Sequence, residues 1–291
     1  MIEVESRQTS PAPPESSTLW ALENLPPFPA VATQLLRLVS DEDAQLGDIA
    51  DLIATDPVFA ADVLQIANSA LFGLRFQVKT ISHAIFVLGM ERVKGISLTR
   101  ALGDFLSPAL RVEALRRCWR HSLAGAFLAE RLARPCGIDA DFAYTAGLLR
   151  DIGRLALLVK YPRPYANMLA VSLENGFDLM STEQELFDID HSQAGCWLTE
   201  KMQMPPELRE VVGRHHEAPN GGPFGLVRLV RVADMMSDSL GFGALNLPHP
   251  PPFENALAEL PDGSRGVLSP DPGELREEIS SRMRTLDPTL N

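Results

Sequence analysis

The sequence predicts an all-α fold. Apolar residues recur at helical spacing in one segment after another, and no stretch sustains the strict alternation of a half-buried strand. Helix start and stop residues also bound those segments, as Asp56-Pro57 and Gly89 do.

In order, residues 1–18 are rich in Ser, Pro and Glu and lack core residues, so a disordered tail is expected. Phe28-Pro29 leads into a short amphipathic helix through Val31, Leu35, Leu36, Leu38 and Val39, ending at the acidic run 40–43. A second helix opens at Leu46 and stops before Asp56. Asp56 should cap a third, with Pro57 first in the helix and Phe59, Val63, Leu64 and Ile66 following. Thr80 or Ser82 caps a short helix closed by Gly89, and residues 91–106 form one more.

Beyond Pro108 the helices lengthen. One covers residues 112–133, up to the break Pro135-Cys136-Gly137. A central helix then runs unbroken through residues 143–160, with Leu148, Asp151, Leu155 and Leu158 on one face. Further helices are expected over residues 165–175, 181–187, 191–202, 206–216 and 224–240. Residues 241–270 are rich in Pro and Gly and predict an irregular strap. Residues 274–286, acidic first and basic last, predict a terminal helix.

Composition narrows the function. The chain has 45% hydrophobic residues in 291 and a net charge of −12, so it repels phosphate backbones and anionic lipid. That argues against nucleic-acid and membrane partners. No apolar run reaches the roughly 18 residues of a membrane span, and the N-terminus lacks the pattern of a signal peptide. Three cysteines without metal-binding spacing fit a reducing cytoplasm.

Six polar residues break the apolar faces. Asp151 sits in the central stripe, His121 shares a face with Leu128 and Leu132, and His191 lies with Leu198 and Met202. His215, with His216 beside it, continues the face of Leu208 and Val211, and Asp234 follows Val227 and Val230. One histidine on an apolar face is usually a hydrogen-bonded core residue. Four histidines and two aspartates pointing inward from five helices form the ligand set of Zn, Mn, Fe or Mg, and bundle cores are where such sites are built.

This constellation, His121, Arg150-Asp151-Ile152-Gly153, His215-His216-Glu217 and Asp234, resembles the HD-domain phosphohydrolases, whose signature is a first His, a His-Asp pair and a distal Asp. His191 and the His215-His216 pair resemble the HD-GYP cyclic-di-GMP phosphodiesterase branch. The N-terminal half, with LPPFPAVATQLL, DIADLIATDPVFAADVLQIANSALFG and ISHAIFVLG, is similar to the HDOD family of bacterial signalling output domains. The resemblance covers residues 19–240 and implies a smaller helical lobe, 19–108, packed on an HD-like lobe, 109–240, ahead of the strap and terminal helix at 241–291.

The chain departs from that pattern. Arg150 stands where the first His of the His-Asp pair belongs, and guanidinium has no lone pair for a metal. Arg117 stands one turn before His121, where HD-GYP proteins place a ligating Glu, and no Gly-Tyr-Pro follows His216. Arg150 is expected to pair with Asp151. The resemblance with these departures implies a non-catalytic signalling module with no cofactor, acting on partners such as two-component system proteins, with a small nucleotide ligand possible. The alternative is a metal-dependent phosphohydrolase of nucleotides or cyclic dinucleotides. There His121, Asp151 and Asp234 would hold one Zn, Mn, Fe or Mg ion and His191, His215 and His216 a second, with Arg150 swung out to clamp phosphate.

Overall fold

The computed structural model describes residues 20–22, 28, 30–39, 45–219, 221–265 and 271–286. Among these every regular element is a helix. The tail at 1–18 and the acidic run at 40–43 lie outside the described residues.

The first five helices are α1 (Ala30–Val39), α2 (Leu46–Ala54), α3 (Pro57–Ala67), α4 (Ile81–Leu88) and α5 (Met90–Leu106), and they pack on one another. Asp56 caps α3 as expected, its Oδ1 accepting from the amides of Val58 and Phe59 at 2.9 and 3.1 Å. Of the two candidate caps for α4, Thr80 is the one used. Asn68 gives the turn after α3 its form. Its side chain accepts from Val78 N at 2.7 Å and donates to Val78 O at 2.8 Å, closing the loop between α3 and α4.

The remaining helices begin with α6 (Glu113–Ala133), α7 (Ala140–Leu149), α8 (Ile152–Lys160), α9 (Pro162–Asn175) and α10 (Leu179–Phe187). After them come α11 (His191–Lys201), α12 (Pro206–Arg214), α13 (Leu226–Ser239), α14 (Phe253–Ala258), α15 (Asp262–Arg265) and α16 (Pro272–Leu286). The centre is α6, buried along most of its length and packed by α7, α8, α9, α13 and α16. In addition α5 packs on α7, and α8 lies against α11.

Two expectations are corrected. The central helix is not continuous: α7 ends at Leu149 and α8 begins at Ile152. Asp151 sits in the break with φ −98° and ψ 22°, at the N-terminus of α8, and caps no amide there. Consecutive helical residues point about 100° apart, and the break re-aims Asp151 relative to Arg150. Both are buried, 0% and 1% exposed. The segment 241–270 is also not wholly irregular. It contains α14 and α15, buries Phe253, Ala256 and Leu260 and packs α14 on α13.

Gly153 sets how closely α8 meets α11. A Cβ there would overlap the carbonyl oxygen of His191 and the amide nitrogen of Gly195. Only a glycine lets the two backbones approach this far, and that approach brings His191 to the edge of Asp151.

Candidate functional site

Arg150, on the loop between α7 and α8, is held by every part of its guanidinium. Nε donates to Asp234 Oδ1 at 2.9 Å. One terminal nitrogen donates to the Gly147 carbonyl at 2.7 Å and reaches that of Ser122 at 3.4 Å; the other donates to the His121 carbonyl at 3.0 Å. The seat is cut from α6 at Gly125, where a Cβ would overlap the guanidinium. Asp234 Oδ1 also lies 2.9 Å from His121 Nε2, and His121 Nδ1 reaches the Phe242 carbonyl at 3.2 Å. The expected pairing of Arg150 with Asp151 is therefore the lesser contact, 3.4 Å from Nε to Oδ2. Asp234 is the closer partner because it faces Nε along α13, whereas Asp151 is the adjacent residue and turns its carboxylate toward α11.

Asp151 is crowded by cationic and imidazole nitrogens at 3.4 to 3.7 Å. They come from Arg150, Arg154, His121, His191 and His215, and neither carboxylate oxygen has a hydrogen bond. Arg154, on α8, reaches Asp151 at 3.4 Å with one terminal nitrogen and lies 3.2 Å from His191 with the other. Its Nε faces Glu183 at 3.7 Å. Glu183 is fully buried. Its Oε2 accepts from the His191 amide at 2.8 Å and from His191 Nδ1 at 2.6 Å, and its Oε1 accepts from the Tyr165 hydroxyl. A carboxylate only accepts, so His191 carries its proton on Nδ1 toward Glu183 and turns Nε2 toward Asp151 and His216 Nε2, 2.9 Å away. His215 does likewise: Nδ1 faces the carbonyls of Val211 and Val212 at 3.2 and 3.1 Å, and Nε2 faces Asp151 at 3.7 Å without a hydrogen bond.

Asp151 is held by charge, since neither of its oxygens has a hydrogen bond. Burial alone would raise the carboxyl of Asp151, but Arg154 and Arg150 hold it well below the usual carboxylate range. Burial opposes ionisation of Asp234 too, and Arg150 and His121 reverse it. Glu183 is pulled down to about 2 against its burial, chiefly by His191 and then Arg154. His216 is pushed down to about 2 by burial and by neighbouring His215, so it stays neutral. Asp238, half-buried near His121 and Asp234, is raised to about 6, mainly by its partial desolvation.

The residues form two groups whose ligand atoms lie within 4.8 Å of one another, His121–Asp151–Asp234 and Asp151–His191–His215–His216. The first does not fit a divalent ion. Arg150 Nε lies within 2.9 and 3.4 Å of its two carboxylates, so the positive charge is already supplied by the chain. The second has a suitable donor set: a carboxylate and three imidazoles, two of them oriented through Nδ1 as ligating histidines are. The unpartnered oxygens of Asp151 and Nε2 of His215 belong to it. Arg154 stands at its edge as a competing cation.

All six sequence-predicted polar residues thus meet in one cluster. Arg117 does not: it is half-buried and lines a surface cavity with Arg120, Phe242 and Arg276. Sequence reasoning missed Arg154 and Glu183. The spacing of Arg154, three after Asp151 inside an apolar segment, was a usable signal; Glu183, in the polar run STEQELF, gave none.

The chain belongs to the HDOD domain family, whose model matches residues 25–218. An uncharacterized protein of Treponema pallidum (strain Nichols) is 24% identical over 221 residues, 75% of this chain but 42% of that protein, so the chain spans under half of this relative's length. An HDOD domain protein of unknown function from Geobacter sulfurreducens aligns with a TM-score of 0.70 at 21% identity, covering 92% of this chain and 93% of that one. A candidate phosphohydrolase from Shewanella amazonensis SB2B aligns at 0.64 and 22% identity, covering 94% and 99%. A candidate signal transduction protein from Marinobacter aquaeolei VT8 aligns at 0.63 and 24% identity, covering 92% and 59%. These structures share the fold with this chain.

Proposed function

We propose that this chain is a signalling output module without phosphohydrolase turnover. Its core is an ion-paired remnant of an HD site, and it works through contact with protein partners such as components of two-component systems. The observation that carries this is the seat of Arg150. The guanidinium is fully buried, bonded to Asp234 and three carbonyls and accommodated by Gly125. Leaving that seat as a phosphate clamp would break those bonds and strand Asp234, so the arginine acts as a fixed internal cation. The name of the Marinobacter relative supports a signalling role.

The test is turnover. Protein supplied in turn with Mn, Zn, Fe and Mg is expected to leave bis(p-nitrophenyl) phosphate and a cyclic dinucleotide intact. Hydrolysis lost on Asp151→Asn would contradict the proposal.

One observation favours a second reading, a single ion on Asp151, His191, His215 and His216. The unpartnered Asp151 and His215 atoms converge there, and three buried carboxylates, Asp151, Asp234 and Glu183, face only two buried guanidiniums. Such an ion would supply Lewis acidity and lower the pKa of a bound water. The chain's own groups would orient the imidazoles through Glu183 and the carbonyls of Val211 and Val212.

A further inference from the structure

Away from the buried cluster, a surface cavity of about 450 Å³ opens between α6 and α16. Four arginines line it, Arg117 and Arg120 from α6 and Arg276 and Arg284 from α16, and no Asp or Glu is among its lining residues. Arg120 lies 3.8 Å from Glu113 and Arg284 3.1 Å from Glu277, both exposed glutamates. A run of arginines on one helix is ordinarily a solvated face. Here a second helix, some 160 residues later in the chain, brings two more to the same opening, in a protein of net charge −12. The walls are also fixed to each other, because Arg282 of α16 bonds Glu130 of α6 at 2.5 Å and stacks 4.2 Å over Phe127.

We propose that this cavity binds a small organic polyphosphate of the nucleoside diphosphate class. Guanidinium forks pair with phosphate oxygens two at a time, and the volume falls in the range of small-ligand sites. Phe242 and Met283, both buried, give an apolar floor for the uncharged part, and Asn246 offers an amide at the rim. The floor also touches the buried cluster: the Phe242 carbonyl is the partner of His121 Nδ1. A ligand resting on Phe242 would bear on the segment that positions His121, giving the module a small-molecule input. The assignment does not depend on whether the core holds an ion.

The experiment is calorimetric titration of the chelator-treated full chain with ADP and with inorganic pyrophosphate. Both are expected to bind, ADP more tightly, and Arg117→Gln/Arg276→Gln is expected to weaken both by about tenfold or more. Arg111→Gln, in the same basic run but outside the cavity, should change neither. Should the double variant not fold, Arg276→Gln alone gives the same reading, since that side chain is exposed. Failure of the wild type to bind either probe at millimolar concentration would overturn the proposal. So would binding that the arginine variants leave unchanged, or binding of an acidic peptide but neither phosphate.

Discussion

Arg150 and Glu183 show what single residues do here. Replacing Arg150 by methionine keeps most of the volume but leaves Asp234 buried beside unsatisfied carbonyls. Removing one partner of a buried pair costs about 3–5 kcal/mol, so urea unfolding of Arg150→Met should show a loss of that size. Glu183 predicts a pH effect. Its folded carboxyl sits near 2, below its ordinary value of 4.5, so its stabilisation is full above pH 4.5 and is lost as pH falls toward 2. The shift corresponds to about 3–4 kcal/mol at about 1.4 kcal/mol per unit. Wild type minus Glu183→Gln, compared at pH 6 and pH 3, should therefore narrow; a constant difference would assign the residue a packing role only. His121, Asp151 and Asp234 were legible because charge on an apolar helical face is locally conspicuous. Arg154 was missed although its place three after Asp151 in an apolar segment was a signal, because an arginine on a helix is ordinarily solvated.

At the scale of elements, local signals were read well. The Asp56 cap with Pro57 behind it and the Thr80 cap lie where the residues imply, because each acts within one turn. The break between α7 and α8 was missed for the opposite reason. AGLLRDIGRLALL carries only weak helix breakers, Gly147, Asp151 and Gly153, inside a strongly apolar helical period, so the break at Arg150-Asp151 did not stand out. Helices in the segment 241–270 were missed because its Pro and Gly content masked the buried Phe253 and Leu260. The contact of α8 with α11 gives a further prediction. Gly153→Ala forces a methyl into the His191 carbonyl, and overpacking of this kind costs about 3 kcal/mol. Chemical unfolding should show that loss, whereas Gly263→Ala, which meets nothing within 4 Å, should be close to neutral.

For the molecule as a whole, periodicity alone gave the all-α class, while the arrangement of helices around α6 came from the packing. No helix among the described residues is long and apolar enough to cross a membrane. Partners were not legible, because recognition depends on how surfaces from distant segments combine, as the arginines of α6 and α16 do. On the proposed reading, guanidinium charge takes the place of an ion in the His121–Asp151–Asp234 group. The most direct test of that reading is metal per chain, measured on tag-free wild type and Arg150→His after equilibration with Mn and Zn. Wild type should hold at most the one ion of the Asp151–His191–His215–His216 group, and Arg150→His should gain one more. Two ions in the wild type, or no gain in Arg150→His that is folded by circular dichroism, would contradict it.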